Sequence, residues 1–289
     1  MFKKKKDQTY QSYWSISWNI FKKNKVAMVC LFIVILLCLI ALFAPLIAPY
    51  DPNKQVLTDR LMKPCGQHWF GTDDLGRDIF SRIIYGCRVS LSVGIISQII
   101  ATVIGYTMGV CAGYFGGKVD SVISFSIQVF SSFPFLLFAM AIMFVLGPGL
   151  INLYLALGLL GWASTARLIR GDVMRLKKME YIDACKVSGG NSFRIIMKHL
   201  LPNCLSTLIV TVTLGIPNAI MSEASLSFLG LGVKAPMASW GSMISFSQPY
   251  IRSATYYSVI PGLAIIITVL AFNMLGDGLR DALDPKLRS

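Results

Sequence analysis

Side chains able to do chemistry are few in this chain, and most sit outside its apolar runs. There are two histidines, His68 and His199, and His68 lies close to Asp73 and Asp74 in the stretch HWFGTDDLGRD. A histidine beside a carboxylate is the raw material of general acid–base catalysis, but here no nucleophile or oxyanion-stabilising segment accompanies it. The plainer reading makes the stretch an exposed lead-in to the next apolar run, salt-bridged through Asp73, Asp74, Arg77, Asp78 and Arg82. Two glycine-rich segments invite a nucleotide reading and fail it. GYFGGK has Ala112 where a phosphate loop needs its first glycine, and Val119 where it needs a metal-binding hydroxyl. GLGVKA has no strand before it and Pro236 directly after it. Seven cysteines show neither a C-x-x-C nor a metal-ligand spacing. Cys65 and Cys87 are expected on one side of the membrane, as reduced thiols. These residues point to a chain with no catalytic residue, no metal site and no cofactor of its own.

What remains is a polar, basic stretch of a different kind, RLKKMEYIDACKVSGGNSFRIIMKHLLPN, residues 175–203. A connector this long is uncommon in a compact protein unless it has a function. Its pattern predicts two short helices. The first runs through Glu180, Ile182, Ala184 and Val187 and stops at Gly189-Gly190, where glycine supplies a left-handed turn. The second is capped by Asn191 or Ser192, carries Phe193, Ile195, Ile196 and Leu200, and is expected to end at Pro202. A helix–glycine–helix knuckle of this kind is a docking handle for another protein.

The elements that hold the knuckle are membrane helices. Of 289 residues, 55% are hydrophobic and 14% charged, against roughly 25% charged in soluble domains. Residues 26–50, 89–117, 121–166, 199–222 and 253–276 contain no Asp, Glu, Lys or Arg. Each exceeds the ~20 residues a helix needs to cross the hydrocarbon core. The run 121–166 is long enough for two crossings, with LGPGLIN as the hairpin between them and Pro134 as a kink. The expected fold is therefore an all-α membrane protein of six spans. Gly105, Gly109 and Gly113 form two overlapping G-x-x-x-G steps, a signature of close helix packing in lipid. Glu223 marks the expected outer end of the fifth span, and the segment from there to Arg252 reads as an outer interfacial lid.

Charge sets the orientation. With both termini in the cytoplasm, 19 of the 27 Lys and Arg residues fall on the inner side, as the positive-inside bias requires. The same bias explains the net charge of +13 without nucleic-acid binding, for which no soluble basic domain exists. The organisation that follows is a basic cytoplasmic segment (1–25), a first anchor (26–50), an outer loop (51–88) and a five-helix core (89–289). Within the core, residues 167–203 form the cytoplasmic loop. Lys3–Lys6 precede a run too long for a signal peptide, so that run stays as an anchor. Trp14 and Trp18 suit a short helix on the inner surface.

At this point the residues resemble a family. The knuckle is similar to the coupling loop of ATP-binding-cassette importer permeases, whose signature is Glu-Ala-Ala, three residues, Gly, then about a dozen residues to Leu-Pro. Here Asp183, Ala184 and Cys185 stand for the first part, with Gly189 and Leu201-Pro202. Asp replaces Glu and Cys replaces the second Ala. HWFGTDDLGRDIFSRIIYGCRVSLSVG, EASLSFLGLGV with SWGSM, and FKKNKVAM before the first span resemble the peptide/nickel subfamily. They look most like the "C" type permease of dipeptide or oligopeptide importers.

The resemblance implies a type I importer permease, a non-catalytic half-channel paired with a homologous second permease. It implies two cytoplasmic ATP-binding subunits, which carry ATP and Mg, and an extracytoplasmic solute-binding protein. Glu180, Asp183, Ala184, Cys185, Gly189 and Pro202 would form the ATPase-coupling loop, in a bacterial cytoplasmic membrane. Di- or oligopeptides are the expected cargo, with nickel or a metal chelate as the alternative, and no residue is assigned to substrate. An ion-coupled secondary transporter is the rival class, and it would need ionisable residues at mid-membrane, which these spans lack.

Overall fold

The computed structural model describes residues 13–283, so Lys3–Lys6, the Trp14 side chain and residues 284–289 lie outside the described part. Among the described residues the regular structure is helical, with one isolated bridge between Thr72 and Asp78. In order, the helices are α1 (Tyr13–Lys23), α2 (Lys25–Leu42), α3 (Ala44–Ile47), α4 (Ile79–Phe115), α5 (Gly117–Ser132) and α6 (Phe135–Leu146). They continue as α7 (Leu150–Leu176), α8 (Glu180–Val187), α9 (Ser192–Ile195), α10 (Leu201–Phe228), α11 (Trp240–Ser247) and α12 (Thr255–Leu283). Four helical stretches are long and apolar enough to cross a membrane: α2, α4, α9 with α10, and α12. The bent pair α5–α6 makes a fifth if counted as one span.

The glycine steps of α4 are the hinge of the packing. A Cβ at Gly105 would stand 2.8 Å from the carbonyl oxygen of Trp162, one at Gly109 2.7 Å from that of Ala166, and one at Gly113 2.9 Å from that of Arg170. Bare backbone on α4 therefore lies against bare backbone on α7, which gains dispersion contact where lipid offers no hydrophobic drive. Gly158 returns the arrangement from α7, with its Cβ position 2.7 Å from Ile100. Gly109→Leu should destabilise the fold by roughly 1–3 kcal/mol or more through overpacking. Gly171→Ala has nothing within 4 Å and should be neutral or stabilising by about 0.5 kcal/mol. Thermal unfolding in detergent of the two variants beside the parent checks both.

Three expectations about helix ends change. Pro134 does more than kink its span: α5 stops at Ser132, α6 starts at Phe135, and the two axes differ by 90°. Proline restricts the residue before it to extended backbone, and Phe133 adopts φ −96°, ψ 139°. The Gly-Pro-Gly turn separates α6 from α7 as the pattern predicts, with Gly147 at φ +79°. Glu223 is not a helix end, since α10 runs on to Phe228. At the other end, Pro202 does not terminate the second knuckle helix. The segment Ile196–Leu200 widens into π geometry, with the Leu201 N–H reaching back to the Ile196 carbonyl. That widening accommodates a proline, which lacks an N–H and crowds the preceding turn, so the helix passes through.

The stretch before α4 is likewise no exposed lead-in. Asp73, Arg77, Asp78 and Arg82 are all buried. Asp73 accepts from the Arg77 Nε at 2.6 Å and from the backbone N–H groups of Leu75 and Arg77. The Arg82 Nε lies 3.4 Å from the same carboxylate, and its Nη1 donates to the Pro52 carbonyl. Asp78 caps α4 by accepting from the Ser81 N–H. His68 pairs with Asp78 at 2.9 Å rather than with Asp73 or Asp74. The charges tolerate burial because residues 57–78 fold back over them. The Thr72 hydroxyl donates to the Asp59 carbonyl, the Tyr256 hydroxyl to the Met62 carbonyl, and the Tyr257 hydroxyl to Asp74. With these charges paired inside the fold, α4 starts at Ile79, inside the stretch expected to be loop.

The first helix forms over Tyr13–Lys23 and turns Phe21 inward against α12. Trp18 stacks on Phe21 and carries the Lys22 ammonium over its ring at 5.3 Å. All seven cysteines are unbridged. Cys65 is exposed, while the buried Cys87 thiol donates to the Leu37 carbonyl.

Candidate functional site

Three features are built on this frame: the knuckle, a groove beside α10 and a clamped outer segment. The knuckle forms as its residues dictate. Helix α8 follows an extended Met179, and Gly189 takes φ +79°, a left-handed turn that favours glycine. Gly190 packs against Cys185, and the Asn191 side chain accepts from the Arg194 N–H to cap α9. Beneath, Ile182 and Ile195 are fully buried among Val110, Ile169, Val173 and Cys204, so α8 is rooted on α4, α7 and α10 together. Lys177 fastens the loop by donating to the Tyr114 carbonyl at 2.5 Å, and the Tyr114 hydroxyl donates to Ser192.

On top, the knuckle is bare. Val187 is 90% exposed and Phe193 72%. Glu180, Asp183, Ala184 and Gly189 are exposed beside them, with Cys185 half-buried. Among the described residues Asp183 pairs with Lys186, one turn along at 2.7 Å, and the Cys185 sulfur lies 3.7 Å from the His199 Nε2. Partial desolvation raises the Tyr181 phenol above its ordinary pKa. Pro202, at the far end of the expected coupling loop, is exposed as well. It stands in the first turn of α10, on the wall of the groove.

The groove, about 1540 Å³, runs between α4, α6, α7 and α10 and reaches the last turn of α12. Its α10 wall carries Asn203, Thr207, Thr211, Asn218, Ser222 and Ser225. These recur every three or four residues, with one longer step, through an otherwise apolar helix. A lipid-facing helix surface would be apolar throughout, so this stripe faces water or protein. From α4 it receives Gln98, whose side chain rests on bare Gly215. Charge enters only at one end, where Arg175 and Arg280 line the groove. The polar stripe was readable in the sequence as a period inside a span, but it was not singled out.

Glu223 stands one turn from that wall and points the other way, 0% exposed. Its Oε1 accepts from the hydroxyls of Ser227 at 2.6 Å and Ser239 at 2.7 Å. Ser239 also caps α11 through a reciprocal pair with Ser242. Next to it, Trp240 donates its backbone N–H to Ser90 and its indole N–H to the Ile83 carbonyl. EASLSFLGLGV and SWGSM thus meet in space as a carboxylate clamp holding α11 against α10 and α4.

Comparison with known proteins agrees with this architecture. Residues 102–289 match the family described as binding-protein-dependent transport system inner membrane component. Residues 12–64 match the N-terminal TM domain of oligopeptide transport permease C. The dipeptide transport system permease protein DppC of Bacillus subtilis is 46% identical over 96% of this chain and 87% of its own length. The oligopeptide transport system permease protein OppC of the same organism is 42% identical, over 96% of this chain and 91% of its own. The glutathione transport system permease protein GsiD of Pectobacterium atrosepticum is 41% identical, over 98% and 95%. Among solved structures, an inward-facing MetNI methionine ABC transporter covers 71% of this chain and 98% of its own with a TM-score of 0.58. At 19% identity that likeness is one of fold. A family match over most of the chain, joined to relatives of this identity along nearly all of it, means that the chain belongs to the binding-protein-dependent transport system inner membrane components.

Proposed function

We propose that this chain is one of two homologous permease subunits of an ATP-driven importer for di- or oligopeptides in a bacterial cytoplasmic membrane. The observation that carries the reading is the knuckle: a short helix rooted on three long helices, with Val187 and Phe193 bare at its tip. Large apolar side chains held out on a rigid base fit a cleft in a partner, here one of two cytoplasmic ATP-binding subunits that hold ATP and Mg. Because α8 shares its apolar base with α4, α7 and α10, movement of the partner would tilt those helices together, as alternating access requires. Glu180, Asp183, Ala184, Cys185 and Gly189 make the contact surface and its bend. Pro202 closes the loop, in the first turn of α10.

Six spans are the proposed topology: α2, α4, the bent α5–α6, α7, α10 and α12, with both termini in the cytoplasm. The positive-inside count supports it. So does the pairing of charges on α7, where Arg170 grips Asp120 through two hydrogen bonds of 2.5 and 2.8 Å and Arg167 donates to Ser131. Peptide cargo is supported by the names of the relatives, and an extracytoplasmic binding protein would deliver it. Tagging the chain, extracting it gently from its native membrane and identifying its companions tests the assembly. A second permease chain with two P-loop ATPases is the expected result. A homomer whose uptake follows an ion gradient would replace this reading with a secondary transporter.

A further inference from the structure

The elbow between α1 and α2 joins a fixed face to an uncommitted one. Its inner side is seated on the last span. Phe21 is buried in one cluster with Ala27, Leu275 and Ala282, and a Cβ at Gly278 would stand 2.4 Å from the Ala27 Cβ and 3.5 Å from the Phe21 ring. The Asn24 N–H donates to the Phe21 carbonyl and the Asn24 side chain accepts from the Ala27 N–H, so hydrogen bonds close the bend. The outer side carries Trp18, Lys22, Lys23 and Lys25, all exposed. Among the described residues no carboxylate pairs with any of the three lysines. Asp277 and Asp281 flank Gly278 on α12 but form no ion pair among the described residues. Lys22 lies instead over the Trp18 ring. Helix α2 opens with no acid in its first turn, so its positive dipole end adds to the field of the ammoniums.

Directly beyond these cations the surface turns apolar. Positions 25, 29, 32 and 36 share one face of a helix, and Lys25 is followed there by exposed Val29, Phe32 and Leu36. The 18 residues of α2 make a helix of about 27 Å, just short of the ~30 Å hydrocarbon layer. A span of that length holds Lys25 at headgroup level, with Trp18 in the interfacial zone that indole rings favour. We propose that this elbow binds anionic phospholipid of the inner leaflet, its headgroup phosphate on Lys22, Lys23 and Lys25 and its acyl chain along Val29, Phe32 and Leu36. A zwitterionic headgroup brings its own cation and gains little here. An anionic one brings uncompensated charge, and each lysine near such a leaflet strengthens attachment about fivefold. A soluble anion has no chain for the apolar stripe, so the two halves together select a lipid. Because the elbow is seated on Gly278, the bound lipid holds the inner end of α12 at a fixed depth. The site rests on the topology in which α2 crosses the membrane from the cytoplasmic side, and not on the identity of the cargo.

The test places the complete complex in phosphatidylcholine vesicles doped with a lipid probe that carries a photoactivatable diazirine on its acyl chain. The probe bears either a phosphatidylglycerol or a phosphatidylcholine headgroup, and its adducts are mapped by mass spectrometry. In the parent, labelling between Val29 and Leu39 should favour the phosphatidylglycerol probe about tenfold or more at about 50 mM salt. At about 500 mM the shorter Debye length should bring the ratio towards one. Replacing Lys22, Lys23 and Lys25 together by Gln should abolish the preference, and Lys25→Gln alone should lower it about fivefold. Replacing Lys3–Lys6 by Gln, with the elbow intact, should leave it in place. Should the triple variant fail to accumulate, the salt series and Lys25→Gln carry the same comparison. Equal labelling by the two probes in the parent, a preference that salt or the lysine variants leave unchanged, or one that is lost with Lys3–Lys6 overturns the site alone. Absence of adducts from either probe along α2 overturns its placement in lipid and the site with it.

Discussion

Valine at position 189 should abolish uptake while leaving the chain folded in the membrane. Gly189 holds φ +79° with nothing within 4 Å of where a Cβ would stand, so the substitution meets no neighbour. Its whole cost is conformational, about 1–3 kcal/mol for a β-branched residue in the left-handed region. That strain falls on the turn between α8 and α9, and the turn relaxes by tilting α8 on its base. An uptake loss of about tenfold or more is expected, with unchanged membrane levels and with ATP hydrolysis no longer responding to cargo. Asparagine tolerates the same backbone, so Gly189→Asn should recover most of the transport. Normal uptake by the valine variant at normal levels would remove the knuckle from the coupling path.

Asp73→Ala should have the largest effect on stability, about 3–5 kcal/mol, because it strands Arg77 and Arg82 in a buried site with their partner gone. Both guanidiniums are at most 5% exposed, and water cannot take over the lost carboxylate. The fold-back of residues 57–78 rests on the same anchor, since Asp73 also receives two backbone N–H groups. Lower detergent melting temperature and protease sensitivity in the outer segment are the expected readouts. Asp183→Ala is the matched control, an ion pair at the surface with both partners well exposed, worth about 0–1 kcal/mol. Equal melting shifts for the two variants would refute the buried network.

The knuckle was the most legible part of the molecule, because local chemistry decides it: Gly189 for the turn, Asn191 for the cap, and a run of apolar residues for the buried face. The glycine steps of α4 were equally plain, although only the structure names α7 as their partner. Other features depended on what folds against them. Asp73 and Arg82 read as surface charges until the chain returns with Pro52, Tyr256 and Tyr257 to bury them. Pro202 read as a stop because sequence rules describe α-helices, and a π segment lies outside those rules. The groove shows a further limit. Polar residues at helical spacing were present in α10, but only the packing of α4, α6 and α7 beside them shows that they line a groove. Glu223, at what looked like a span's edge, took its meaning from Ser239, sixteen residues later.

The most direct test of the coupling account measures peptide accumulation and ATP hydrolysis together, in proteoliposomes holding the parent complex or its Gly189→Val form. Accumulation that requires ATP in the parent, and that collapses in the variant while hydrolysis continues without cargo control, is the predicted result. Accumulation driven by an ion gradient in the absence of ATP, and indifferent to residue 189, would contradict it.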